Sequence, residues 1–254
     1  MVSLWDYWRR GRTPVAKFDT AGGASSYAVE LTKRAPRISL TEQGAASGTL
    51  RIGLTWRMRG SDMMGGGKSH RKVNGWRNPL QLLRPAEVVG HTQGMVDIDF
   101  DLACLYELAD GTKGVVQPLG GLQGDFNSPP YLKLSGDDRF GGISGETIYA
   151  NLDHAEEFKR LLVFVYIYDG PPAFDHVDVV VTVVTGNGMH IEVALNEANP
   201  QARSCAVMMI ANEDGELVAQ REVKYVYGFQ SEIDRLYGWG MSWGRGRKAG
   251  RIRE

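Results

Sequence analysis

Eight consecutive apolar residues at 161–168 (LLVFVYIY) constrain this chain more than any other stretch. The run is far too short for a membrane helix, which needs roughly 18 residues. It is rich in β-branched and aromatic side chains and carries no polar face. That is the pattern of a strand buried on both sides at the centre of a sheet. A central strand needs neighbours, and the surrounding sequence supplies them.

Leu50, Ile52, Leu54 and Trp56 alternate with Arg51, Gly53 and Thr55, as on a half-buried strand. VDIDFDLACLYEL and GVVQPL flank ADGTK, SCAVMMIAN and ELVAQREVKYVYG flank EDG, and VDVVVTVV and MHIEVAL flank TGNG. These are hairpin signals, because Asp-Gly and Asn-Gly tolerate the positive φ that tight turns need. Thirty-two glycines in 254 residues are nearly twice the usual ~7% and fit a turn-rich chain. DHAEEFKR and SEIDRLYG read as short helices or turns. Strands do not alternate with long helices, which excludes a doubly wound sheet. The expectation is an all-β, antiparallel two-sheet β-sandwich with short helices and one long inserted loop.

Its boundaries follow from where the alternation starts and stops. Residues 1–28 read as an irregular N-terminal arm, 29–243 as the sandwich domain, and 244–254 as a basic disordered tail. Within the domain, 57–95 reads as a mobile basic insert. Charge supports this division. Residues 57–90 carry seven bases and two acids, 91–175 five bases and fourteen acids, and the tail five bases and one acid. Basic segments suit polyanions, and the acidic block suits a cation. GGGKS in the insert is not a P-loop: Asp62 stands where the first glycine belongs, and no apolar helix follows.

The acidic block contains the most informative element. Asp97, Asp99 and Asp101 alternate with Ile98, Phe100 and Leu102, so a strand places the three carboxylates on one face. Two readings stand at this point, a solvated outer face and the wall of a cation site. A hard cation such as calcium takes 6–8 oxygen ligands, so other acids must converge. Candidates are Asp137 and Asp138 in the glycine-acid loop GDDRFGG, Glu146 just after it, and Asp169 at the end of the apolar run. The spacing is not that of an EF-hand, because Leu102 and Leu108 occupy its glycine and glutamate positions. Five histidines show no zinc-ligand spacing, and Ser144 lacks a nucleophile elbow. Cys104 and Cys205 sit in apolar strands and read as core thiols of a reducing cytoplasm. Trp239 and Trp243 in YGWGMSW read as packing residues.

The run SLTEQGAASGTLRIGLTW, the strand bearing Asp99 and Asp101, the loop GDDRFGG and the strand VFVYIYDG, in this order, resemble the TerD-domain tellurium-resistance proteins. DFDLACLYELADGTKGVVQPLG and the ending YGWGMSW are most similar to the TerA branch. The resemblance implies a calcium-binding β-sandwich in cytoplasmic bacterial proteins tied to tellurite and other stress resistance, with no enzymatic activity attached. Asp99 and Asp101 match the family's Asp-x-Asp strand, and Gly136, Asp137, Asp138 and Arg139 match its Gly-Asp-Asn-Arg loop. Asp169 matches the aspartate that ends the next long strand. The family's further run of glycines and acids is shortened here to GGISGE, leaving Glu146. The expected metal set is therefore Asp99, Asp101, Asp137, Asp138, Glu146 and Asp169, holding calcium. Expected partners are calcium and other proteins of the same stress-response system, with no specific nucleic acid. The alternatives are an adaptor that uses the basic loop and tail on a membrane surface or polyanion, and a metal-dependent hydrolase.

Overall fold

The computed structural model describes residues 16–18, 26–58, 98–135, 146–170, 174–175 and 177–244. In chain order the first strands are β1 (Ala16–Phe18), β2 (Ser26–Glu30), β3 (Arg37–Ser39), β4 (Thr49–Met58) and β5 (Asp99–Leu108). Then come β6 (Lys113–Val116), β7 (Gly124–Asp125), β8 (Leu132–Leu134) and β9 (Thr147–Asn151). A 3-10 turn, Leu152–Glu157, leads into β10 (Phe158–Asp169). The last strands are β11 (Val177–Val184), β12 (Met189–Leu195), β13 (Ser204–Glu213) and β14 (Glu216–Val226), followed by helix α1 (Gln230–Tyr237).

Among the described residues the strands form two sheets. Sheet A has eight strands in the order β1-β2-β12-β11-β4-β9-β8-β7, and sheet B six in the order β3-β14-β13-β10-β5-β6. The two-sheet sandwich is as the alternation predicts. β10 lies between β5 and β13, and residues 161–167 are each at most 1% exposed. The hairpin turns fall at Asp110-Gly111, Asn187-Gly188 and Asp214-Gly215. Asp214 and Gly215 both have positive φ (53° and 89°), the requirement that selects this residue pair.

Two features depart from expectation. Strand β1 and the first residues of β2 lie within the stretch read as an irregular arm, and sheet A therefore starts before residue 29. β2 pairs with β12 in parallel, Met189 opposite Tyr27 through Glu192 opposite Glu30. A five-residue strand held by a partner some 160 positions away carries little local signal, and a parallel pair needs no tight turn to announce it. The remainder of the basic insert and the tail beyond Gly244 lie outside the described residues.

The main core lies between the sheets. Leu50, Ile52 and Leu54 of β4 and the alternate valines of β11 pack towards Phe100, Leu102 and Cys104 of β5 and Val163, Val165 and Ile167 of β10. A second apolar cluster covers the outer face of sheet B, where Ala103, Leu105, Leu162, Phe164 and Tyr166 meet Ile233 of α1 and Trp239. The second cluster explains why β10 is apolar on both faces.

The segment after α1 is fastened by Asp234. Its carboxylate accepts the Gly240 and Met241 amides at 2.8 and 2.9 Å and the Trp243 indole N–H at 2.9 Å. Trp239 is 2% exposed, donates its indole N–H to the Tyr106 carbonyl at 2.9 Å, and lies 3.9 Å beneath the Arg160 guanidinium. Both tryptophans are packing residues, as the sequence suggests. Among the described residues no helix is long and apolar enough to cross a membrane.

Candidate metal centre

β5 and β10 run antiparallel, which brings the start of one beside the end of the other. Asp99 stands opposite Asp169, and Asp101 opposite Tyr166. Phe100 and Leu102 turn into the core between the sheets. Asp99 and Asp101 therefore share the opposite face, as strand alternation predicts. This face is not uniformly solvated. Asp101 is 0% exposed, Asp99 is half-buried and Asp169 is exposed. The solvated-face reading of the acidic strand thus fails at Asp101, because the outer side of sheet B is roofed by α1 and the segment behind it.

Glu146 comes from the other sheet. It lies one residue before β9, and its carbonyl accepts the Leu54 amide at 2.9 Å. Its carboxylate reaches β5 and accepts the Leu102 amide at 2.6 Å. The ladder between β5 and β6 ends at Cys104 opposite Val116, so Leu102 lies past the last residue that β6 covers. A carboxylate on that N–H is a charge-assisted bond of the stronger kind. Asp169 Oδ1 accepts the N–H of the next residue, Gly170, at 2.8 Å at the end of β10.

The strand register brings together Asp99 and Asp169, with Asp101 two pairs further in; Glu146 meets β5 at Leu102. Asp137, Asp138 and Asp97 lie outside the described residues. The donor chemistry fits a hard cation, since every member of the set is a carboxylate oxygen. Among the described residues no group of three or more His, Cys, Asp or Glu is placed to hold a metal ion. The described carboxylates alone therefore fall short of the 6–8 oxygens calcium takes.

Sequence reasoning missed the buried polar residues on this side of the molecule, of which Tyr166 stands opposite Asp101. Tyr166 is 1% exposed, Gln117 6% and Gln230 8%. Gln230, the first residue of α1, donates its side-chain N–H to the Gln117 side-chain amide oxygen at 3.4 Å. Burial, and then the negative charge of Asp101, push the Tyr166 hydroxyl far above the usual tyrosine range. The one advance signal was the polar hydroxyl inside an otherwise apolar run. A second unforeseen group lies at the far end of β5. There Glu107 accepts from Lys159 Nζ and Arg160 Nε, both at 2.7 Å, with Lys113 Nζ at 3.8 Å. These bonds, Lys159 foremost, hold its carboxyl down to about 2.

Cys104 and Cys205 are 0% exposed on the inner face of sheet B. Burial pushes the Cys104 thiol up to about 12 and raises Cys205 as well. Both are protonated, unreactive core residues at neutral pH.

No family model matches the chain. The tellurium resistance protein TerA of an Alcaligenes species is 36% identical over 224 residues, which is 87% of this chain and 58% of that protein. The chain thus spans less than two thirds of the length of this relative. A crystal structure of a homologue of telluride resistance protein (TerD) from Streptomyces coelicolor A3(2) aligns with a TM-score of 0.44 and 18% identity. That alignment covers 74% of this chain and 95% of the other.

Proposed function

The chain belongs with the TerA-like tellurium-resistance proteins, and on that premise we propose that it is a calcium-binding, non-enzymatic stress-response protein that acts by assembling with other proteins of the same response. The observation that carries the calcium reading is Asp101, a carboxylate at 0% exposure two residues along β5 from Asp99, which faces Asp169. Gathering negative charge in a poorly solvated place destabilises a fold, and a bound divalent cation reverses that effect. The described carboxylates form no complete set by themselves; on the family match Asp99, Asp101, Asp169 and Glu146 would hold the ion only together with Asp137 and Asp138. Bound calcium would supply charge neutralisation and cross-linking of strand ends. The side chains themselves supply hard oxygens, and Glu146 also ties the two sheets.

Assembly is the reading for function because the carboxylates join strand ends of a rigid sandwich, where an ion fixes local shape. Calorimetric titration of calcium into metal-free protein tests this. A saturable heat, reduced in Asp99→Asn, is expected. Absence of heat at millimolar calcium overturns the reading. Metal-dependent turnover of a phosphoester or peptide substrate, lost on changing one of these acids, would replace it with the hydrolase alternative.

A further inference from the structure

We propose that residues 4–12 (LWDYWRRGR), ahead of β1, dock in cis on an exposed aromatic patch at the acidic end of sheet B, formed by Tyr168, Tyr227 and Phe229 around Arg203. This docking does not depend on calcium.

Tyr168, Tyr227 and Phe229 are 40%, 71% and 48% exposed. Aromatic rings gathered in water beside an arginine are the composition of an interaction site. The strand ends bring them together. β10, β13 and β14 are neighbours in sheet B. Arg203, one residue before β13, accepts the Ile167 amide on its carbonyl and donates its own amide to the Val226 carbonyl, both at 2.9 Å. Tyr168 thus leaves on one side of Arg203 and Tyr227 on the other. The Arg203 guanidinium donates to the Gly170 carbonyl at 2.8 Å and lies 5.9 Å from the centre of the Phe229 ring, so this base is already engaged. Asp169 is exposed beside Tyr168 and stands opposite Asp99. An apolar patch with an acidic border suits a segment that carries aromatic rings and positive charge.

Residues 4–12 carry Trp5, Tyr7 and Trp8 with Arg9, Arg10 and Arg12, against the single acid Asp6. The direction of β1 aims this segment at the patch. β1 is antiparallel to β2, and β2 is parallel to β12, so the chain traced back from Ala16 heads the way β12 runs. Ala16 is level with Ala28 and, through it, with His190. From His190, β12 runs on to Leu195, about 17 Å further. Just past β12 the Glu197 amide donates to the Tyr225 hydroxyl at 3.2 Å, and Tyr225 is two residues short of Tyr227. β1 and β12 are separated by β2 alone, a lateral offset of about 10 Å. Extended backbone from Ala16 to Trp8 spans about 26 Å, and to Trp5 about 36 Å. Both indoles are therefore within reach of Tyr227 and Phe229, where stacked rings bury apolar area. Arg9 and Arg10 then lie near Asp169, with an attraction that water and salt weaken. The rings carry the affinity and the charges orient the segment.

Paramagnetic broadening in the full chain tests the docking. Cys104 and Cys205 are 0% exposed, so Ser3→Cys provides one accessible thiol for a nitroxide. In chelator, the label should broaden the amide resonances of 168–170 and 227–229. Trp5→Ser combined with Trp8→Ser should abolish this broadening, as should Tyr227→Ser combined with Phe229→Ser. Asp169→Asn should reduce it by less. Unchanged resonances of β11 and β12 show that each variant is folded. A mixture of nitroxide-bearing chain with unlabelled, isotope-enriched chain separates the possible occupants. Broadening of the enriched chain in that mixture comes from a second copy and overturns docking in cis. Broadening that never extends to 168–170 and 227–229 overturns the docking altogether, as does undiminished broadening in both double variants.

Discussion

The Glu146 carboxylate accepts the Leu102 amide at 2.6 Å, while the Glu146 carbonyl accepts the Leu54 amide at 2.9 Å. One residue thereby ties β4 of sheet A to β5 of sheet B at the acidic end. The structural role does not depend on a metal. Glu146→Ala, measured by urea denaturation in the presence of a chelator, should lose about 2 kcal/mol, the range for a hydrogen bond to a charged group. Glu146→Gln keeps an acceptor and should lose about half of that. An Ala variant as stable as the parent would show that the clasp between the sheets is dispensable.

How much of this was legible in the sequence depends on what kind of contact is meant. The turns at Asp110-Gly111 and Asp214-Gly215 are local, set by φ requirements that two residues meet by themselves. The central place of β10 follows from its own apolar run. Asp99 and Asp101 declare a shared face by alternation. The burial of Asp101 does not follow from alternation, because the pattern says which residues face away from the core and not what lands on them. Here the covering residues, Ile233 and Trp239, lie more than 130 positions downstream. Gln230 and Gln117 are 113 residues apart, and the cluster at Glu107 joins 107, 113, 159 and 160. Each looks like an ordinary surface residue until the strands pair.

Acid should act on this protein through Glu107. Its carboxyl is held near 2, below the ordinary 4.5, chiefly by Lys159 and then by Arg160. A depressed folded-state value means a stabilising contribution that is complete above about 4.5 and lost as pH falls from there through 2. Lys159 is 59% exposed, so screening trims the contribution to about 1–2 kcal/mol. Comparing denaturation at pH 6 and pH 2.5 should show a smaller acid-induced loss in Glu107→Gln than in the parent. Equal losses would remove Glu107 from the account of acid sensitivity.

The C-terminal segment should fail as a unit when Asp234 is changed. Asp234 accepts three bonds from Gly240, Met241 and Trp243 and is 4% exposed. Asp234→Ala should lower stability by about 2–3 kcal/mol. It should also shift tryptophan emission to the red as Trp243 gains water. Trp239→Ala should cost about 3–5 kcal/mol through the lost packing of a buried indole. An unshifted emission spectrum in Asp234→Ala would mean that the segment is held by Trp239 alone.

The facing pair Asp99 and Asp169 should reverse its effect on stability when calcium is added. Like charges directly opposite each other on neighbouring strands repel. In chelator, Asp169→Asn removes one of those charges and should melt no lower than the parent, with a gain of at most about 1 kcal/mol for so exposed a residue. In millimolar calcium the order should invert. The parent gains the linkage term, about 2.7 kcal/mol when calcium is a hundredfold above its dissociation constant. The variant, short of one ligand, gains less. Magnesium should produce a smaller inversion, because it holds a tight octahedron and sheds water reluctantly. Thermal melts of both proteins in chelator, calcium and magnesium give the six values needed. If parent and variant keep the same order in all three, Asp169 is not part of a cation site, and the site must be sought around Asp101 without it.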